Sequence, residues 1–436
     1  MRPFKLILLS LFPSVLLPVL LLPVLLLLVL AQLLWSSAEC QAMTWQEARS
    51  AVDRRAVELR VAERREEVAA AEIRVAGALA NPTLTVTTAR ETARLSTGVV
   101  VPLPLFGQRG LAIRAARADA LAVDGEGRVT RNDLRWSATL AWVDAWEAGE
   151  RARLAVAASG DADRLLDVTE QRFQAGTAPR LDVVRATADR ARARADTETA
   201  QLLVDAAGAR LAVWVGMDPA APPTATGAPG VPAELPELGI LMAAALARHP
   251  ALARDRAQQG AASERVKLER RLRFPIVSAE VIVNQWDPTL TDAQGVAHTD
   301  VIGGAAFELP VLDQRGGAIA RAERQAELAD ATTSLDAAHL RAELADAYHR
   351  TLAGARRARQ LGRYALPAME EARAMTEESY RAGRADLVRV LEAHRAVLEL
   401  RLAEREAIAS WSRSFADLER ALGDSVGQGG LTGEAP

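Results

Sequence analysis

Pro104-Leu105-Phe106-Gly107-Gln108-Arg109-Gly110 returns 206 residues later as Pro310-Val311-Leu312-Asp313-Gln314-Arg315-Gly316. The later landmarks return 207 residues on: Phe173-Gln174-Ala175-Gly176 as Tyr380-Arg381-Ala382-Gly383, and Leu211 with Gly216 as Leu418 with Gly423. The chain is therefore an internal duplication, and each copy reads helix, strand, strand, very long helix, helix. One chain supplies only four strands, with no means of closing them alone.

Upstream of the first quoted stretch, Trp45 to Leu79 is rich in Ala, Glu and Arg and reads as one helix of about 35 residues. Asn81-Pro82 ends it. Thr83 to Thr87 alternates polar with apolar, and Val99 to Leu105 is a second extended segment, so the pair predicts a hairpin. Downstream, Leu134, Ala138, Ala141, Ala145, Ala148, Ala152, Ala155, Ser159, Ala162, Leu166, Thr169 and Phe173 keep a 4,3 spacing. That is a coiled-coil seam, and its alanines let two helix axes approach closely. A helix from about Arg114 to Phe173 would be on the order of 90 Å long, which makes the molecule a tube or a rod. Gly176-Thr177-Ala178-Pro179 reverses the chain, and Leu181 to Val215 returns. The first and return helices are each about half the long one and fit end to end beside it.

The second copy predicts a helix over Leu238 to Leu272, strands over Pro275 to Asn284 and Thr299 to Leu309, a long helix to Ser379 and a return helix from Asp386 to Leu422. Its seam runs through Leu340, Leu344, Ala347, Thr351, Gly354, Ala358, Leu361, Ala365, Ala368, Ala372, Met375 and Ser379, with a kink expected at Pro367. The division is thus a leader over 1–42, a first repeat over 43–218, a Pro-rich linker over 219–237, a second repeat over 238–423 and a disordered tail over 424–436.

The 436 residues are 50% hydrophobic and 25% charged, enough to bury a core. Lys and Arg (53) nearly balance Asp and Glu (56), and no basic block interleaves with aromatics, which excludes a nucleic-acid footprint. Cys40 is the single cysteine, so no internal disulfide or thiolate metal cluster exists. Arg2 and Lys5 precede an apolar run from Leu6 to Leu34, the pattern of an export signal. Pro13, Pro18 and Pro23 favour cleavage over a retained anchor, with a cut before Met43. Lipidation of Cys40 is the lesser alternative, because Glu39 stands where a small residue is needed.

The strands have one oily and one wet face: Val277, Ala279, Val281 and Val283 alternate with Ser278, Glu280 and Asn284. Taken alone this suits a half-exposed soluble sheet. Joined to an export signal and a duplication, it predicts segments that cross a membrane as part of a water-filled barrel. Such barrels need about eight or more strands and tolerate no open edge, so other subunits must complete this one. Two chains would give eight strands and three would give twelve.

The chain resembles an outer-membrane efflux protein of the TolC type over essentially all of its mature length. The motifs that carry this are Asn81-Pro82, Pro104 to Arg109, Leu309 to Arg315, Arg172 to Gly176, Tyr380 to Gly383 and Leu418 to Gly423. The resemblance implies a mainly α protein with a membrane β-barrel: a homotrimer whose four strands per chain complete a twelve-stranded barrel above a coiled-coil periplasmic tunnel. It implies docking to a periplasmic adaptor and an inner-membrane pump of the RND type, contact with outer-membrane lipid, and no cofactor. The Pro-Leu-Phe-Gly-Gln-Arg wording is most similar to the heavy-metal cation branch.

By resemblance the adaptor-docking tips are Gly176, Thr177, Ala178, Gly383, Arg384 and Ala385, where the glycines permit close approach and open backbone groups. The glycines also simply reverse the chain. Asp182, Arg185, Arg389 and Glu392 lie one or two turns into the return helices, where inward members would form charged gate rings, with Tyr380 as a latch. The resemblance implies acids at the second-copy positions in some relatives, and Arg389 departs from that. Charged residues there equally suit a solvated face. His249, His298, His339, His349 and His394 show no metal-ligand spacing, and Trp136, Trp142 and Trp146 suit packing between helices. No nucleophile elbow or phosphate loop occurs, so no enzymatic chemistry has a carrier. The expected function is a passive export duct. The alternatives are a periplasmic coiled-coil adaptor or scaffold, which would show one helical hairpin between compact β domains, and an enzyme with an unusual helical fold.

Overall fold

The computed structural model describes residues 42–90, 93–229, 235–291 and 297–423. The leader up to residue 41, Cys40 and the tail over 424–436 lie outside the described residues.

Two helices stand where one was predicted at the start of each copy. In the first, α1 (Trp45–Arg55) and α2 (Val57–Ala76) meet at Ala56, which is extended at φ −60°, ψ 127°. In the second, α5 (Leu238–Arg248) and α6 (Pro250–Arg271) meet at His249, which Pro250 holds out of the helical region. α1 opens with a reciprocal cap in which Thr44 and Glu47 each satisfy the other's backbone N–H. A clasp ties the segment before the first copy's helices to the linker: β1 (Ala42–Met43) pairs in parallel with β4 (Thr224–Ala225).

α3 (Gln108–Gln174) is unbroken for 67 residues, on the order of 100 Å. α4 (Arg180–Trp214) returns along its lower half while α2 covers its upper half, as the lengths required. The second copy sends α7 (Gly316–Gln360), a five-residue π-helical turn (Leu361–Ala365) and α8 (Leu366–Arg381) down, and α9 (Leu387–Leu422) back. Near the sheet the helices lie side by side in the order α2, α3, α6, α7. Towards the tips the order is α4, α3, α9, α8.

Two core clusters lie midway along the rods: one gathers Trp142, Trp146, Leu211 and Val215, and the other Leu241, Leu344 and Leu418. Leu211 and Leu418, paired by the repeat, are both fully buried.

The first seam is buried at Leu134, Ala138, Ala141, Ala145, Ala152, Ala162, Leu166 and Thr169, and leaves Phe173 exposed. The second is buried at Leu340, Leu344, Ala347, Thr351 and Ala358 but then departs from its predicted positions. Ala368, Ala372 and Met375 are exposed, and the inward positions move one residue on to Met369, Arg373, Thr376 and Tyr380. The π turn is the cause, because it accommodates one residue more than the α-helical path. That same residue changes the repeat offset from 206 to 207. Pro367 falls in the first turn of α8, where a missing N–H is tolerated, so the expected kink is realised as the π turn before it.

The sheet has the order β2 (Thr83–Thr87), β3 (Leu95–Leu103), β5 (Val277–Thr291), β6 (Ala297–Phe307), antiparallel throughout. β3 and β5 join the two copies through nine consecutive pairs, from Leu95↔Gln285 to Leu103↔Val277. Among the described residues β2 and β6 each have a free edge.

Candidate functional site

Two regions combine exposure with unusual chemistry: one face of the sheet, and the two tips where the long helices turn back.

The register aligns the apolar positions of all four strands. Leu84 and Val86 sit beside Val99 and Thr97, which pair with Val281 and Val283, which pair in turn with Gly303 and Val301. Val101, Ala279 and Ala305, then Leu103, Val277 and Phe307, extend the same face. Nothing among the described residues covers it: Leu84 is 64% exposed, Val301 64% and Phe307 58%. The opposite face carries Thr83, Thr85, Thr87, Ser96, Ser278, Glu280, Asn284 and Asp300, and the Ser96 hydroxyl donates to Asn284 Oδ1 across the strands at 2.7 Å. An exposed oily face, a wet face and two free edges are what a barrel wall needs before neighbours close it. None of the described helices is long and apolar enough to cross a membrane.

At the first tip Gly176 takes φ +72°, and the Gly176 and Thr177 amides donate to the Phe173 and Arg172 carbonyls at 2.9 and 2.8 Å. At the second, Gly383 also takes φ +72°, and the Gly383 and Arg384 amides donate to Tyr380 and Ser379 at 3.0 and 2.8 Å. Each is a closed helix-ending motif in which glycine relieves the left-handed strain. The last carbonyls are thus satisfied at these positions, which corrects the expectation of open backbone there. What the tips do offer is space: a Cβ on either glycine would meet no atom within 4 Å. Thr177 and Arg384 are exposed, and Ala178 and Ala385 are half-buried behind them.

Tyr380 is buried by the register shift, 3% exposed, in a cluster with Leu166, Ala186, Leu387, Val390 and Leu391. Its hydroxyl lies 3.4 Å from Thr169 Oγ1, its carbonyl accepts from Arg172 Nη1 at 2.6 Å, and the Arg172 guanidinium stacks 4.2 Å above its ring. This ties the tip of α3 to the tip of α8. Thr169 was read from the sequence as a seam position and Arg172 as the start of the tip motif, but neither was assigned this tie to Tyr380. Asp182 is half-buried, and Arg185, Arg389 and Glu392 are exposed. The repeat relates them in reversed sign: 207 residues separate Asp182 from Arg389 and Arg185 from Glu392.

His249, His394, Trp136 and Trp142 make local contacts between elements. His249 Nδ1 accepts the Ala251 amide and caps α6, while its Nε2 lies 3.2 Å from the Arg420 carbonyl. Burial holds its pKa below the usual imidazole value. His394 meets Glu377 at 2.9 Å within the second hairpin. Trp142 donates its indole N–H to the Met43 carbonyl at 2.8 Å, and Trp136 donates to Asp417 at 2.9 Å. Among the described residues no group of His, Cys, Asp and Glu is arranged to hold a metal ion.

Comparison with known proteins agrees with this architecture. The cobalt-zinc-cadmium resistance protein CzcC of Cupriavidus metallidurans is 24% identical over 337 residues, covering 77% of this chain and 78% of that protein. A membrane protein from Pseudomonas aeruginosa superimposes with a TM-score of 0.73 at 20% identity, over 89% of this chain and 92% of that one. The outer membrane protein VceC from Vibrio cholerae does so with 0.70 at 19% identity, over 88% and 96%. The family model for the outer membrane efflux protein matches twice, over residues 48–217 and 241–424, once for each copy. The chain belongs to the outer membrane efflux protein family.

Proposed function

We propose that the protein is the outer-membrane duct of a tripartite efflux system, passing substrate outward while an inner-membrane pump of the RND type supplies the energy. The observation that carries this is the open four-stranded sheet, oily on one face and free at both edges, mounted on rods about 100 Å long. Three chains would close a twelve-stranded barrel, with β6 of each meeting β2 of the next in outer-membrane lipid, and their helices would continue it as a periplasmic tunnel. An adaptor protein would dock on Gly176, Thr177, Ala178, Gly383, Arg384 and Ala385, supported by the open space at both tips. Asp182, Arg185, Arg389 and Glu392 would ring the closed entrance, with Tyr380 latching the hairpins. The repeats over 43–218 and 238–423, the linker over 219–237, the leader over 1–42 and the tail over 424–436 form the working division of the chain. Likeness to the cobalt-zinc-cadmium resistance protein supports divalent metal cations as substrate.

Purified mature protein reconstituted in planar bilayers should give stepwise conductance and run as a trimer. A monomeric, pore-free particle that is soluble without detergent refutes the reading. Cysteines at Thr177 and Arg384 should crosslink to the adaptor, and cells lacking the gene should lose tolerance to cobalt, zinc or cadmium. Unchanged tolerance removes the substrate assignment alone.

A further inference from the structure

In their continuous ladders the strands carry their charge on one side and in one sign, while beyond the irregularity after Asn284 the Asp287 of β5 pairs with His298 of β6. Within the continuous ladders, residues 83–87, 95–103, 277–284 and 300–307, the only charged residues are Glu280 and Asp300. Both stand on the wet face. Glu280 pairs with Val100 on one side and Gly304 on the other, and Asp300 pairs with Asn284, four positions further out. No Lys or Arg stands in those ladders, and glycine opposite Glu280 leaves its carboxylate without a covering side chain. Arg90 and Arg94 belong to the connection between β2 and β3 beyond the ladder ends, and His298 stands two positions before Asp300 on β6, paired with Asp287.

The tips differ. Asp182 and Arg185 in one copy answer Arg389 and Glu392 in the other, so the four charges cancel within each chain. Around a ring of alternating copies the signs of these four residues alternate as well, which favours pairing and leaves them with no net charge.

On the reading of the protein as a trimeric duct, we infer that charge preference is set at the outer barrel wall: Glu280 and Asp300 favour cationic substrate and oppose anions, while the tip discriminates little by charge. Three chains place six carboxylates on the wall at two levels about 13 Å apart. A water-filled bore screens them, so the effect reaches across the lumen only when the Debye length is comparable with its width, about 30 Å at 0.01 M salt against about 3 Å at 1 M. Cation preference should therefore be clear in dilute salt and fade in concentrated salt.

Reversal potentials of the full oligomer in bilayers under KCl gradients test this. Wild type should favour K⁺ over Cl⁻ by roughly several-fold at millimolar salt and approach parity near 1 M. E280Q/D300N should bring the dilute-salt ratio towards unity, E280K/D300K should invert it, and E280D/D300E should retain it, showing that charge rather than shape is read. A wild-type preference for Cl⁻, or an E280Q/D300N ratio equal to wild type, overturns the inference. So does a loss of preference on neutralising Asp182 and Glu392 with E280Q/D300N silent. If wild type forms no pore at all, the duct reading itself has failed.

Discussion

The two downward helices of the duplication began as equivalents and are built differently. α3 runs 67 residues on one continuous seam, whereas its counterpart is split by the π turn at Leu361–Ala365 into α7 and α8. One inserted residue would rotate everything below it by about 100° and expose the seam. The π turn absorbs it, so Met369, Arg373 and Thr376 face inward where Ala162, Leu166 and Thr169 do in the first copy, and Tyr380 is buried where Phe173 is exposed. The lesson is that an insertion in a coiled coil can be tolerated if the backbone, rather than the seam, takes the misfit.

Deletion tests that difference most severely. Removing Ala157 from α3 should carry Ala162, Leu166 and Thr169 off the seam, and the first hairpin should fail to fold, lost as helical circular dichroism and as trimer on native gels. Removing Gly362 should instead convert the π turn to α-helix and leave or raise the thermal midpoint. Equal damage from the two deletions would show that the π turn is not the seat of the extra residue.

Truncation in the two cores comes next. Trp142 is 1% exposed, and its repeat equivalent Tyr348 only borders its core. Trp142→Ala should cost about 3–5 kcal/mol and Tyr348→Ala about half as much, read from denaturant unfolding at equal protein concentration. A larger loss at Tyr348 would reverse the ranking of the copies.

The smallest contrast is in pH. The helix break of the first copy sits at Ala56, which does not titrate, and that of the second at His249. Burial lowers the His249 pKa in the folded state, so the unfolded chain binds the proton more readily and stability falls as pH drops below about 6.5. His249→Asn keeps a capping acceptor and should flatten part of the decline in unfolding midpoint between pH 7 and 5. A wild-type midpoint that rises over that interval, with no change in H249N, contradicts the assignment.

Much of this was legible because it repeats. The lengths of α3, α4 and α9, both hairpins, the alternation of Val277 to Val283 and the seams down to Ala358 follow from spacing alone. Three features were hidden for physical reasons. Ala56 carries no Gly or Pro, so only tertiary contact bends the chain there. The clasp of β1 with β4 pairs two residues with two, far below any detectable periodicity. The π turn leaves no local mark, although the change of offset from 206 to 207 recorded it. At the tips the residues themselves were legible, while the burial of Tyr380 under Arg172 depended on that undetected rotation.

The β3–β5 ladder, with its nine consecutive pairs between copies, has a consequence for the linker. Shape is already enforced by that weld and by α3 lying against α6 and α9, so the intervening peptide need not orient anything. Its service is stoichiometry: it delivers two non-identical halves in strict one-to-one supply. That leaves each half free to drift in sequence without a mismatched census of parts at assembly.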